Sequence, residues 1–535
     1  MSGRGRGHLA GTGRLVRHIL RRDRLRLAVW VLAIGLSVAG SASAFPRTLP
    51  TAADRAQRAE VIGNAGAQVF VGPGYGLDDY TYGAMTANEM GPMTLVAMAL
   101  MSIFLMVRNT RAEEEAGRAD LVRSTAVGRH APLAAALAVV AGANLAVGLV
   151  LALGLPAALP ELSRTGSAAF AASMVSAGLV FGAVALVAAQ VATQARAAVG
   201  MASAVLAATY ALRVVGDIAV APLSWLSPVG WALSTRAYVD ERWWPLALAA
   251  GATGALVAVA VRIAAHRDVG AGVLVAGGGP PTASAALRSP LGLAVRLQRT
   301  SVIAWGASLF LGGLLFGSIA EEAGEFYETN DLAQDYLERI GAARAGDQYL
   351  ALVLFVTVLM AAAFALQSVL RLRGEESAER AEPVLAAAVS RWRWAASHLA
   401  VALAGSVVLL ALMGLGAGIT SAVVRGRAGE VPRMLGAGLA YAPALWVFAG
   451  LAMLVFGLAP RAVGLVWFAL AAVVTSGWLG PILGLPEWAY DLSPVEHVPR
   501  LPVAAFDPVP LVALTAVAAV LIGVGLAALR RRDLT

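Results

Sequence analysis

Long apolar runs separated by shorter polar segments make up most of this chain. Runs near 27–45, 92–107, 132–156, 168–195, 198–219 and 244–265 come first, and runs near 300–319, 349–370, 397–422, 434–458, 461–484 and 509–529 follow. Each is close to the roughly 20 residues a helix needs to cross the hydrocarbon of a bilayer. The pattern predicts an all-α polytopic membrane protein with about twelve transmembrane helices. Residues 46–91 are polar, punctuated by Pro50, Gly63, Gly72-Pro73-Gly74 and Asp78-Asp79, with one short helix expected from Ala52 to Ile62. Residues 266–298 carry Gly277-Gly278-Gly279-Pro280-Pro281 and read as a flexible cytoplasmic linker between a first domain, 1–265, and a second, 299–535.

The polar pattern repeats. Residues 111–129 read RAEEEAGRADLVRSTAVGR and residues 373–391 read RGEESAERAEPVLAAAVSR. Without a gap, Arg111 falls on Arg373, Glu113 and Glu114 on Glu375 and Glu376, Arg118 on Arg380, Asp120 on Glu382, and Arg129 on Arg391. Leu226-Ser227-Pro228-Val229 recurs as Leu492-Ser493-Pro494-Val495, and Arg267-Asp268 after the sixth run recurs as Arg532-Asp533 after the last. Three landmarks in one order indicate a duplication. Because six is even, the halves are expected as parallel six-helix repeats. Ala42-Ser43-Ala44 fits a signal-peptide cleavage site, yet Leu25–Trp30 after Arg24 resembles Thr300–Trp305 after Arg299. The first run is therefore read as a span.

Composition agrees with this class. The chain has 535 residues, is 59 % hydrophobic and only 14 % charged, with a mean hydropathy of +0.72. Its net charge of +8 does not call for nucleic acid, since the arginines cluster at the ends of apolar runs. Most of them fall on the side that holds both termini and both charged loops, which predicts that side to be cytoplasmic. Cysteine is absent, which excludes disulfides and thiolate metal sites, and every one of the 41 basic residues is arginine. A Walker A loop needs lysine, so the chain is not itself a P-loop ATPase. His8, His18, His130, His266, His398 and His497 are scattered, with no HExxH or GxSxG pattern. An enzyme is not indicated, and no metal or cofactor site is expected in this chain.

The charged stretches offer the best candidate chemistry. Glu and Arg at helical spacing, with Leu121, Val122, Ala126 and Val127 matching Val384, Leu385, Ala388 and Val389, predict short amphipathic helices lying along the membrane surface. Orientation alone asks only for positive charge, so acidic residues kept in both copies point to docking rather than a solvated loop. Arg213 and Asp217 lie one turn apart near the end of the fifth run, as an internal ion pair or a substrate contact. Met90, Met93, Met98 and Met101 share one broad face of the second span, as packing or as an adaptable surface for apolar ligands.

The pattern R-x-E-E-x-x-x-R-x-[DE]-x-[VL], followed by [GS]-R, resembles the cytoplasmic loop between the second and third spans of ABC export permeases of the second type. The doubled length, the LSPV segments and the Arg-Asp after each sixth span resemble the polyketide-antibiotic, tetronasin-like exporter permeases. The resemblance implies a bacterial plasma-membrane subunit with both termini cytoplasmic. Its coupling helices would be 111–129, with Arg111, Glu113, Glu114, Gly117, Arg118, Asp120 and Arg129, and 373–391, with Arg373, Glu375, Glu376, Arg380, Glu382 and Arg391. They would dock on a separate ATPase subunit, a homodimer carrying ATP and Mg, and outer re-entrant hairpins would occupy 220–243 and 485–508. Glu115, Gly117 and Leu121 become Ser377, Glu379 and Pro383, which sets the second loop apart. The substrate implied by Ala-, Val-, Leu-, Gly- and Met-rich spans is a small hydrophobic or amphipathic compound. A twelve-span exporter driven by an ion gradient is the alternative, but it would need ionisable relays at mid-membrane, where these runs are nearly free of charge.

Overall fold

The computed structural model describes residues 7–63, 65–218, 220–267, 282–318, 320–321, 345–387, 389–483 and 487–532, and every regular element among them is helical. The chain divides into two compact units, Met1–Gly278 and Gly279–Thr535.

The first unit holds α1 (Thr12–Thr48), α2 (Gly91–Arg108), α3 (Ala131–Ala158), α4 (Arg164–Val191), α5 (Ala195–Ile218) and α6 (Pro245–His266). The second holds α7 (Pro290–Ser318), α8 (Ala345–Ser377), α9 (Arg391–Arg425), α10 (Glu430–Leu458), α11 (Val466–Leu483) and α12 (Pro508–Arg531). Among the described residues, 11 helices are long and apolar enough to cross a membrane, and the eleventh expected run falls on α11, whose described apolar part is the shorter stretch Val463–Ser476.

Several helices outrun their apolar stretches. α1 starts in the basic segment at Thr12, and α7 starts at Pro290, inside the segment read as a linker. Hydropathy marks only the part of a helix that sits in hydrocarbon, whereas Arg and Leu continue a helix readily beyond it. Residues 268–281, with the Gly-Pro run, lie outside the described residues. The expected helix in the first connecting segment is Ala52–Gly63, opened by a reciprocal cap in which Thr51 N–H donates to Asp54 and Asp54 N–H donates to Thr51 Oγ1.

Each unit is built around its second and fourth helices. Leu95, Met98, Met101 and Leu105 on α2 pack with Phe170 and Phe181 on α4, while Phe364 and Leu372 on α8 pack with Phe448 and Phe456 on α10. In lipid, close approach of backbones replaces the hydrophobic drive of water. Accordingly Gly313 of α7 lies on the backbone of α9 at Met413 and Gly416, and Gly457 of α10 on that of α12 at Gly525, where a Cβ would collide.

The LSPV landmarks adopt matching environments. Leu226 and Leu492 are exposed, whereas Val229 and Val495 are buried. In the first copy Ser227 caps the short helix Pro228–Leu233 and donates to Thr209 O on α5. Residues 220–243 thus form a 3-10 turn, Ala221–Leu226, then this helix and a series of turns. The described part of 485–508, from Glu487 on, holds the short helix Glu487–Asp491 and turns.

Candidate functional site

The two charged loops have a common internal frame. In the first, Glu113 meets Arg118 at 2.9 Å and Arg22 of α1 at 2.8 Å, while Glu114 meets Arg111 at 2.8 Å and Arg267, just past α6, at 2.7 Å. In the second, Glu375 meets Arg380 at 3.2 Å and Arg371 at 3.4 Å, while Glu376 meets Arg373 at 3.5 Å and Arg532, just past α12, at 3.0 Å. Every glutamate of the repeated Glu-Glu pair therefore holds two guanidinium groups, and the second glutamate always takes the arginine that follows the last helix of its unit. Buried charges survive only when paired in this way.

A second tie runs beside the first. Arg129 donates to Ala265 O at 2.5 Å, and Arg391 donates to Arg532 O at 2.6 Å, so each loop also grips the carbonyl end of the last helix of its unit. A cation there completes orphan carbonyls and opposes the helix dipole. Arg267 Nε donates to Gln190 Oε1 at the end of α4, whereas Arg532 stacks 4.8 Å over the ring of Phe456 at the end of α10. Thus each loop is bound to the ends of the fourth and sixth helices of its unit, by hydrogen bond in one case and by cation–π contact in the other.

The loops differ from the single amphipathic helices expected of 111–129 and 373–391. The first is a pair of short helices, Arg111–Glu115 and Arg118–Arg123. In the second, α8 runs unbroken to Ser377, and a short helix Glu382–Ala386 follows a turn. Leu121 is 72 % exposed, while Val384, Leu385 and Val389 pack against the core of the second unit. Ala388 lies outside the described residues. Glu113 is held below the ordinary carboxylate range, first by the hydrogen bond from Arg118 and then by the charge of Arg22, against some burial.

The remaining expected residues separate into frame and surface. Arg111, Glu375 and Glu376 are buried and Glu113 and Glu114 half-buried, whereas Gly117, Arg118, Asp120, Arg380 and Glu382 are exposed. Glu115, opposite Ser377 in the other copy, accepts from Ala195 N–H and caps α5.

Arg213 and Asp217 form an internal tie. The guanidinium, fully buried, donates to Gln68 O, Val69 O and Asp217, and lies 4.5 Å over the Tyr210 ring, while Ser224 Oγ donates to Asp217 at 2.6 Å. The four methionines do not share one surface: Met98 and Met101 are core, Met90 is half-buried and Met93 is 70 % exposed.

Sequence reasoning assigned no partner to Asp23 or Gln298, which occupy corresponding places before Arg24 and Arg299. Asp23, 3 % exposed, accepts from Arg22 and Arg108, and Gln298, 1 % exposed, bonds to His398 and Ser368. Their place next to a duplicated arginine was the available signal. Likewise the recurrence of Arg267 and Arg532 marked them, although nothing in the sequence named Glu114 and Glu376 as their partners.

Comparison with known proteins places these loops among relatives. Residues 287–530 match the family described as multidrug efflux system permease Rv1217c, C-terminal domain. Over 535 residues, covering 99 % of this chain and 96 % of the relative, the sequence is 41 % identical to the multidrug efflux system permease protein Rv1217c of Mycobacterium tuberculosis (strain ATCC 25618 / H37Rv).

Proposed function

The chain belongs to the multidrug efflux system permeases, and from that membership we propose that it is the membrane-spanning subunit of an ATP-driven exporter, moving hydrophobic or amphipathic drug-like compounds out of the cell. A separate ATPase subunit, acting as a dimer with ATP and Mg, supplies the energy. The polyketide-antibiotic subclass is the finer reading, supported by the LSPV and Arg-Asp landmarks.

The observation that carries the proposal is the frame built twice around the Glu-Glu pair. A loop fixed to the ends of the fourth and sixth helices of its unit moves with them. A push delivered from below would therefore reach the helices rather than deform the loop. Within this reading Glu113, Glu114, Glu375 and Glu376 hold the loops in shape, and the contact surface is what remains exposed: Arg118, Asp120 and Leu121 on the first, Arg380 and Glu382 on the second. Both loops and both termini would face the cytoplasm of a bacterial cell.

The chain has no phosphate-binding loop, so the purified polypeptide alone should bind no ATP. Co-expressed with the ABC ATPase subunit of its system, it should purify as a complex whose hydrolysis rises with substrate. Specific nucleotide binding by the isolated chain, or export driven by an ion gradient without any ATPase, would overturn the proposal. A reporter at Gly278 should be cytoplasmic and one at Asp331 outside.

A further inference from the structure

A cavity of about 310 Å³ opens in the first unit beside its charged loop. Leu15, Ile19, Leu133 and Ala135 give it apolar walls, and Arg22, Arg118, Arg129, Arg267, His18 and His130 give it cationic or protonatable groups. Its carboxylates, Glu113 and Glu114, each already hold two guanidinium groups, so no acidic group stands ready for a cation. Donors do remain: Arg129 uses one nitrogen on the carbonyls of Ala264 and Ala265, and its Nε and Nη1 have no partner among the described residues.

We propose that this cavity binds the anionic head of a phosphate-bearing amphiphile, with the apolar walls receiving the part of the molecule next to the head. Depth supports this: the cavity is walled by the start of the apolar run of α3 at Pro132, Leu133 and Ala135 and by the end of that of α6 at Ala264, beside the arginine-rich turns of α1 that precede Leu27, the level at which lipid phosphates sit. Its volume is at the small end of ligand sites, enough for a head and its linkage but not for acyl chains. The second unit supplies a contrast. In the register that aligns Arg24 with Arg299, His18 and Arg22 become Leu293 and Leu297, and in the loop register His130 becomes Trp392. Arg22 is already engaged by Glu113, but His18 and His130 form no ion pair with the loop glutamates among the described residues, and the unit that keeps the same clasp has lost both, so these two histidines serve something other than the clasp. Because Glu113, Glu114 and Arg267 line the cavity, an occupant would also brace the first loop. The inference does not depend on the direction or energy source of transport.

The test uses the full chain in nanodiscs of equimolar phosphatidylcholine and phosphatidylglycerol, followed by extraction and mass spectrometry of the lipid that stays bound. The parent should retain phosphatidylglycerol in preference to phosphatidylcholine. Arg129→Gln should lower that retention on the order of tenfold, as expected for loss of one charged hydrogen-bond donor, while Arg391→Gln, its counterpart, should leave it unchanged. Should Arg129→Gln fail to fold, His18→Leu with His130→Trp, which installs the side chains of the second unit, should show the same loss. Equal retention of the two lipids, or parent-like retention in the cavity variant that folds, would overturn the proposal. A thermal shift by inorganic phosphate as large as that by phosphatidylglycerol would also overturn it, replacing the amphiphile with a free anion.

Discussion

The first charged loop breaks away from the helix that leads into it, whereas the second begins as an extension of that helix. The cause lies in two residues. Asn109 Nδ2 donates to Leu105 O and Thr110 Oγ1 donates to Met106 O, so these side chains compete for carbonyls at the end of α2 and a turn follows. Arg371 and Leu372, in the corresponding places, offer no such competition, and α8 continues to Ser377. The same charged pattern is thus carried on two different backbones, and the repeated clasp brings both back to the same partners. Sequence repetition here preserves contacts rather than secondary structure.

The clasp is the common element, and breaking it should have the largest effect. Glu114→Ala removes the carboxylate that neutralises Arg267, 9 % exposed, and Arg111, 1 % exposed, and should lower stability by about 3 kcal/mol or more. Glu376→Ala should cost a similar amount in the second unit through Arg532 and Arg373. Thermal unfolding of the purified variants measures both, and Glu114→Arg combined with Arg267→Glu should recover part of the loss. If either alanine variant melts like the parent, the clasp does not hold that loop.

Changes on the apolar side of the loops should separate them. Leu385 packs on the core while Leu121 is exposed. Leu385→Ser should destabilise by about 1–2 kcal/mol, whereas Leu121→Ser should stay within about 0.5 kcal/mol. Equal effects would mean that the two loops present the same face.

The turn after the Glu-Glu pair gives a smaller and oppositely signed contrast. Gly117 has φ 71° and Glu379 φ 56°, so both copies use the left-handed conformation although only one has glycine. A side chain pays roughly 1 kcal/mol there, so Glu379→Gly should stabilise the chain by about that amount and Gly117→Glu should destabilise it comparably. Unfolding midpoints at fixed pH decide the signs.

The smallest expected effect is that of acid. Because the Glu113 pKa is depressed from its ordinary 4.5, its contribution is complete above that value and is lost as pH falls through the lower folded value. Parent stability relative to Glu113→Gln should be level from neutral pH down to about 4.5 and converge below it. A difference that vanishes already at neutral pH would contradict the bridging of Glu113 by Arg22 and Arg118.

Much of this architecture was legible because a bilayer leaves little choice: apolar runs of the right length become spanning helices. The duplication was equally plain, since charged residues repeat only when something holds them. Harder to read were the helix ends, as with α1 and α7, because hydropathy is silent about a helix outside the hydrocarbon. The inward turn of the glutamates was also hidden. Exposed and buried charged residues share one alphabet, and Arg267 lies 153 residues from Glu114 along the chain. Arg213 and Asp217 were recognised as a pair, but their grip on Gln68 and Val69 depends on carbonyls that no side-chain pattern reports.

The central claim is that energy enters through the exposed surface of loops whose glutamates hold them to the helices. It is tested most directly by co-purifying the proposed ATPase subunit with the parent and with a variant of the exposed face alone, Asp120→Arg with Leu121→Asp, at matched expression and membrane insertion. The account predicts a stable complex with substrate-stimulated hydrolysis for the parent, and a variant that inserts and melts normally but captures the ATPase at least tenfold less well, as loss of about 1.4 kcal/mol of contact would give. A variant that assembles and couples like the parent would show that the loop surfaces are not where the ATPase acts.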